Sequence, residues 1–318
     1  MINKKILKLA EAVATLMNSC SICPRNCGAN RNAGEVGFCG VRQHSTLCKE
    51  LVHYAEEPEL VPTYSSYFSG CNMRCEYCSN AIMLLPDEIG ENIDHAALAT
   101  RIDHALANGA KTIFFLGGEP TCCLYDIMLI VANIQAHAPV VWNSNMYIAP
   151  EAFELVLQIA DVFLADIKFG CNQCALELAE TPVYLETVQN NIKIAYAAGK
   201  RVIIRHLPLA GHLDCCTIPV LEWIATNCPD APVGILPLMP PSNTKLKPPQ
   251  SVETDKIKAA VKRLGLTEID YVINDELPDV GGITKTVESV LHIRRDGSIL
   301  VQDTTGDMLN ILNKLSGH

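Results

Sequence analysis

The sequence predicts an α/β fold: a curved, partial barrel of six strand–helix units, preceded by a cysteine-rich metal knuckle and followed by a small hairpin extension. Three observations predict it. From Val61 onward, short apolar runs alternate with amphipathic stretches, the pattern of buried parallel strands joined by right-handed helical crossovers. Before that point, cysteines recur among Gly and Pro turns. Beyond residue 268 the strand–helix rhythm stops, and apolar–polar alternation flanks Asp296-Gly297, a hairpin signal. The corresponding divisions are 1–60, 61–268 and 269–318.

Each element has a local reason. Lys4, Lys5 and Lys8 among Ile6, Leu7, Leu9, Ala12, Val13 and Leu16 give an amphipathic helix, because Lys8 and Glu11 break the apolar run that an export signal needs. The stretch Cys20-Ser21-Ile22-Cys23-Pro24-Arg25-Asn26-Cys27-Gly28, with Gly37-Phe38-Cys39-Gly40, brings Cys20, Cys23, Cys27 and Cys39 into a four-thiolate knuckle. Such a knuckle suits zinc or a second 4Fe-4S cluster, and spacing does not choose between them. Cys48, His44 and His53 lack paired ligand spacing and read as ordinary residues. Strands are expected at 63–69, 111–116, 140–144, 162–166, 201–206 and 233–237. Helices are expected from Ala96 to the Gly109 stop and at 123–136, 150–159, 184–198 and 218–226. Residues 237–249 are proline-rich and read as an irregular loop, 290–294 and 298–302 as the hairpin, and 308–315 as a short closing helix.

Composition narrows the function. With 49% hydrophobic and 19% charged residues the chain is globular rather than disordered. A formal net charge of -10 repels a phosphate backbone, so nucleic acid is not an expected partner. No apolar run reaches the length of a membrane span. Fifteen cysteines without an export signal point to the cytoplasm, where thiols stay reduced and clusters of them favour metals over disulfides.

The chemistry centres on Gly70-Cys71-Asn72-Met73-Arg74-Cys75-Glu76-Tyr77-Cys78-Ser79-Asn80. Three thiolates in one loop can wrap a single soft metal centre but cannot pair off among themselves. Zinc and iron–sulfur sites usually take four protein ligands, so Cys71, Cys75 and Cys78 suggest a cluster with one iron left open to a substrate or cofactor. A zinc loop completed by a remote histidine is the alternative.

Polar residues gather where strands end, the edge of such barrels that carries chemistry. Gly117-Gly118-Glu119-Pro120-Thr121 follows the second strand, with glycines that let backbone approach a ligand. Asn143, Ser144 and Asn145 end the third strand, Asp166 and Lys168 the fourth, and Arg205 and His206 the fifth. Together these groups suit a carboxylate, a ribose and an adenine.

Cys-Pro-Arg-Asn-Cys-Gly, Gly-Phe-Cys-Gly, Cys-Asn-Met-Arg-Cys-Glu-Tyr-Cys-Ser-Asn, Gly-Gly-Glu-Pro, Trp142 to Tyr147, Asp166 to Phe169 and Arg205-His206-Leu207 span most of the chain. In these pieces it resembles radical S-adenosylmethionine (SAM) proteins, in particular uncharacterised homologues of pyruvate formate-lyase activating enzyme. The resemblance implies a partial (β/α)6 radical SAM barrel in which Cys71, Cys75 and Cys78 hold a 4Fe-4S cluster whose open iron is chelated by SAM. It further implies that Gly117, Gly118 and Glu119 contact the SAM amino group, and that Asp166, Lys168 and Arg205 contribute to the pocket. Asn143, Ser144 and Asn145 belong to the same cofactor rim.

The implied activity is an oxidoreductase that reductively cleaves SAM to a 5′-deoxyadenosyl radical for hydrogen abstraction, fed by a reductant such as flavodoxin or ferredoxin. Glycyl-radical enzyme activation is the leading specific expectation. Radical modification of a peptide or small molecule is the second, and a non-catalytic zinc or iron–sulfur electron-transfer scaffold the third. Two features depart from the activating enzymes: Leu236-Pro237-Leu238-Met239-Pro240 lacks their histidine near the ribose, and Cys122, Cys123, Cys171, Cys174, Cys215 and Cys216 are extra. The extra cysteines read as core thiols, since adjacent Cys215 and Cys216 face one ion only if they lie in a turn. His206 and His212 read as loop histidines held by hydrogen bonds.

Overall fold

The N-terminal amphipathic stretch forms helix α1 (Lys4–Leu16), capped by the Asn3 side chain, which accepts from the Lys5 and Ile6 amides. Its stripe of Ile6, Ala10 and Val13, continued by Met17, is buried with the barrel helices in one apolar cluster. The computed structural model describes residues 2–54, 56–84 (backbone alone at 82), 89–236 and 244–267, and the strand backbones of 289–293, 299–303 and 308–310.

After the cysteine knuckle come β1 (Thr46–His53), β2 (Thr63–Phe68), β3 (Glu91–Asn92), α2 (His95–Ala107), β4 (Thr112–Gly117), α3 (Leu124–Asn133), β5 (Val140–Ser144), α4 (Pro150–Val156) and β6 (Val162–Asp166). There follow α5 (Asn172–Ala179), α6 (Tyr184–Ala197), β7 (Arg201–His206), α7 (Ile218–Asn227), β8 (Val233–Ile235) and α8 (Ser251–Leu264). The sheet order is β3-β1-β2-β4-β5-β6-β7-β8. The six strands from β2 to β8 run parallel, as their near-continuous burial requires, and they are the six expected from sequence. Strand β1 was not foreseen; it lies antiparallel to β2 and pairs Leu51 with Ser65.

The two faces of the sheet differ. The outer face meets the helices through Ile113, Phe115, Trp142, Phe163 and Ile204. The inner face carries a smaller cluster of Phe114, Leu116, Val141, Val162, Leu164 and Ile203, joined by Leu60 from the β1–β2 connection. Because side chains alternate along a strand, Asn143, Asp166 and Arg205 share the inner face with Val141, Leu164 and Ile203. Asp166 is in register with Arg205 across the β6–β7 pair.

A separate antiparallel sheet contains β9 (Ser289–Ile293), β10 (Ile299–Asp303) and β11 (Met308–Asn310). The expected hairpin is present as β9 and β10, pairing Ile293 with Ile299, while Asp296-Gly297 lies outside the described residues. The expected closing helix over 308–315 is corrected for 308–310, which pair with β10 through Gln302 and Met308. A ladder along the free edge of β10 satisfies its backbone groups, and it prevails over helical periodicity there.

Candidate active site at the strand rim

Cys71, Cys75 and Cys78 lie in the loop that leaves β2 at the C-terminal rim of the parallel strands. Backbone packing fixes that loop. Gly70 has φ +88°, and a Cβ there would lie 2.3 Å from Val41 Cγ2 and 2.9 Å from the Cys39 carbonyl oxygen. The Cys71 amide donates to that Cys39 carbonyl at 3.2 Å, joining loop to knuckle. On the other side, a Cβ on Gly118 would lie 2.2 Å from the Gly70 carbonyl oxygen, which accepts the Glu119 amide at 2.9 Å. The Gly117-Gly118 turn is therefore required first by the neighbouring loop's backbone.

Glu119 ties three rim segments together. Its carboxylate is buried and accepts from the Thr121 amide (3.1 Å), the Thr121 hydroxyl (2.6 Å), the Ser144 hydroxyl (2.8 Å) and the Asn145 amide (2.9 Å). Burial pushes this carboxyl above its ordinary range, against the pull of those donors. Asn145 in turn donates to Asn72 Oδ1 at 2.9 Å and approaches Cys71 Sγ at 3.9 Å, while Asn72 donates to the Tyr147 carbonyl at 2.8 Å.

Of the three thiols Cys71 is buried and Cys75 and Cys78 are half-buried. Desolvation pushes Cys75 up to about 12, Cys71 well above the usual thiol range, and Cys78 upward as well. Thiolates at these positions therefore require positive charge beside them, such as a metal centre. Lys168 supplies one such charge. Its Nζ lies 2.7 Å from Asp166 Oδ2, and although burial opposes the ammonium, Asp166 and Cys75 hold its pKa above the ordinary value. Asp166 Oδ1 is buried with no hydrogen-bond partner among the described residues. An orphaned acceptor near Cys75 and Lys168 fits a cofactor that brings its own donors. No three sulfurs of this triad, or of the knuckle, come within 4.8 Å of one another among the described residues.

Arg205 is differently engaged. Its Nε and Nη2 pair with Glu57 at 2.8 and 2.7 Å, and Nη2 also meets Glu56, both from the β1–β2 connection. These two acids were missed in the sequence; their signal was an adjacent acidic pair just upstream of the first parallel strand. His206 is buried between the Ile167 carbonyl (2.7 Å) and the Thr217 hydroxyl (3.0 Å), and burial lowers its pKa to about 4. It is a neutral tie, in keeping with the sequence reading.

In the knuckle, Cys20 and Cys39 are buried, Cys23 is half-buried and Cys27 exposed, and Cys23 feels the charge of the other three. Arg31, which sequence reasoning passed over, is 1% exposed and donates to the Arg42 and Cys122 carbonyls at 2.7 and 2.8 Å. Burial works against its charge, yet the nearby Cys39 and Cys20 keep it raised. Cys39 is drawn down to about 6, first by a hydrogen bond from Cys122 and then by Arg31, against burial. Cys122 thus adds a fifth sulfur beside the knuckle. Arg25 and Arg74 stack on Phe38 at 3.6 and 4.3 Å, while Arg25 donates to the Asn72 carbonyl and Arg74 to that of Cys71. His44 instead bonds Asp126 at 2.7 Å, as does His95 at 2.8 Å. Met239 and the proline-rich segment around it, 237–243, lie outside the described residues.

The radical SAM superfamily matches residues 65–224, the span from β2 through most of α7. The uncharacterized protein MJ0674 of Methanocaldococcus jannaschii is 32% identical over 241 residues, covering 71% of this chain and 67% of that protein. Among solved structures, Streptococcus suis SuiB bound to S-adenosylmethionine aligns with a TM-score of 0.50 at 15% identity, over 62% of this chain and 47% of SuiB. A radical SAM methyltransferase from Sphaerobacter thermophilus aligns with a TM-score of 0.48 at 12% identity, over 65% of each chain. The chain thus spans about half the length of SuiB, and the likeness to it is one of fold. On its superfamily match over half of its length, this chain belongs to the radical SAM superfamily.

Proposed function

We propose that this protein is an enzyme that binds a 4Fe-4S cluster through Cys71, Cys75 and Cys78 and reductively cleaves SAM at the rim of the parallel strands. The observation that carries the reading is the orphaned Asp166 Oδ1 near Cys75, in a loop whose three desolvated thiols need a cation to ionise. When bound, the cluster supplies the electron that splits SAM into methionine and a 5′-deoxyadenosyl radical.

The chain's own residues place and shield that chemistry. Lys168 favours thiolate at Cys75 and Cys78. Glu119, Ser144, Asn145 and Asn72 brace the Gly117-Gly118 turn against the cysteine loop, leaving its backbone as the surface for the SAM amino group. Asp166 offers its free oxygen to a donor on SAM, and Asn143 and Arg205 share that inner face. In the knuckle, Cys20, Cys23, Cys27 and Cys39 would hold a second group, an iron–sulfur cluster or a zinc ion. The substrate suggested by the motifs is a protein segment, with glycyl-radical enzyme activation as the specific reading and a one-electron carrier such as flavodoxin or ferredoxin as donor.

The test is electron paramagnetic resonance of the reduced, reconstituted protein with and without SAM. A cluster signal that shifts on SAM addition and is lost in Cys75→Ala supports the site. A signal indifferent to SAM would leave an electron-transfer scaffold. Anaerobic capture that retains no glycyl-radical protein would remove the activation reading while leaving SAM cleavage intact.

A further inference from the structure

The loops after β6 and β7 bring together a set of ligands that the proposed chemistry does not use. Cys174 Sγ lies 3.5 Å from His212 Nδ1 and 3.7 Å from Cys215 Sγ; Cys215 Sγ lies 3.5 Å from His212 Nδ1 and 3.9 Å from Cys216 Sγ. All four ligand atoms lie within 4.8 Å of one another. A tetrahedral zinc with Zn–S of about 2.3 Å and Zn–N of about 2.0–2.1 Å sets edges of about 3.8 Å between sulfurs and about 3.6 Å between sulfur and nitrogen. These four edges, of 3.5, 3.7, 3.5 and 3.9 Å, match that cage closely.

Local structure explains the convergence. Residues 213–217 form a π-helical turn leading into α7, and the Cys216 amide donates to the His212 carbonyl at 3.0 Å. His212, Cys215 and Cys216 therefore stand at i, i+3 and i+4 on one helical face, which is how two adjacent cysteines can reach one ion. The fourth ligand comes from the first turn of α5. There Cys171 caps the helix by accepting the Cys174 amide at 3.4 Å, which leaves the Cys174 thiol for the cluster. Gly170 lets the two segments touch, since a Cβ there would lie 2.5 Å from the Cys216 carbonyl oxygen. The bond between His206 and Thr217 pins the turn to the end of β7.

We propose that Cys174, His212, Cys215 and Cys216 form a tetrahedral Cys3His site for a single zinc ion, clasping the first turn of α5 to the β7–α7 connection. The set is closed, with four protein ligands, so the ion is structural rather than a binder of substrate. Binding releases thiol protons and involves no oxidation. The site shares no ligand with Cys71, Cys75 and Cys78, so it stands or falls independently of SAM cleavage.

The test is metal stoichiometry on the full chain, expressed with iron and zinc supplied and purified anaerobically, in wild type and in Cys215→Ser. Cys215 is exposed, so this replacement spares the core, and circular dichroism checks the fold. Cys215→His, which restores a ligand, is the rescue. The expected result is loss of one zinc equivalent in Cys215→Ser, unchanged iron and sulfide, recovery of zinc in Cys215→His, and zinc X-ray absorption showing three sulfurs and one nitrogen. Equal zinc in wild type and Cys215→Ser, loss of iron instead of zinc, or a Cys174–Cys215 disulfide in place of metal would each overturn the assignment.

Discussion

Replacing Glu119 probes the joint on which the rim depends. The carboxylate accepts four hydrogen bonds: Oε1 takes the Thr121 amide, the Thr121 hydroxyl and the Ser144 hydroxyl, and Oε2 takes the Asn145 amide. In Glu119→Gln the amide oxygen can keep the first three, but its NH2 then faces the Asn145 N–H, donor against donor. One buried amide loses its partner, at a cost of about 1–3 kcal/mol. In Glu119→Ala the two hydroxyls can rotate toward other acceptors, but the Thr121 and Asn145 amides cannot. Two such losses and the cavity give about 3–6 kcal/mol. The assay is urea unfolding of anaerobically purified protein, with iron content measured alongside, because Asn145 also braces Asn72 and Cys71. The expected order is wild type, Gln, Ala in both stability and iron retention. A cost below about 1 kcal/mol for Glu119→Ala, with normal iron, would show that the network does not brace the cysteine loop.

Two further outcomes follow from the geometry. Gly70→Ala places a methyl 2.3 Å from Val41 Cγ2 and 2.9 Å from the Cys39 carbonyl oxygen at φ +88°, so it should destabilise by about 2–4 kcal/mol and lower iron loading. The added change Val41→Ala should recover part of the loss in thermal melts, since only one of the two contacts is a side chain. His206, with its pKa lowered from 6.5 to about 4, is held neutral by the fold. Its contribution is fully present above about pH 6.5 and is lost as pH falls toward 4, on the order of 3 kcal/mol in all. His206→Gln should therefore flatten the decline in unfolding free energy between pH 7 and 5 relative to wild type; parallel profiles would contradict the buried neutral imidazole.

The six parallel strands were legible because each is a short apolar run ending in polar residues, and Val140–Ser144, Val162–Asp166 and Arg201–His206 fall where periodicity puts them. The cysteine triad was equally plain, since its ligands are local in sequence. What escaped was non-local. Strand β1 mixes half-buried residues without clean alternation, and only its pairing with β2 makes it a strand. Glu56 and Glu57 gain meaning from Arg205, almost 150 residues away. Cys174 and Cys215 are separated by 41 positions, and the π-helical turn that aims Cys215 and Cys216 together has no signature in residue spacing. Arg31 looked like an ordinary loop arginine, because its burial among knuckle thiols is a property of the packed structure.

The most direct measurement is the yield of 5′-deoxyadenosine after anaerobic reduction with SAM, in wild type and in the triple variant Cys71→Ala/Cys75→Ala/Cys78→Ala. Wild type should form deoxyadenosine and the variant none, while iron remaining in the variant reports a separate cluster in the knuckle. A wild-type protein fully loaded with iron and sulfide that leaves SAM intact would contradict the account.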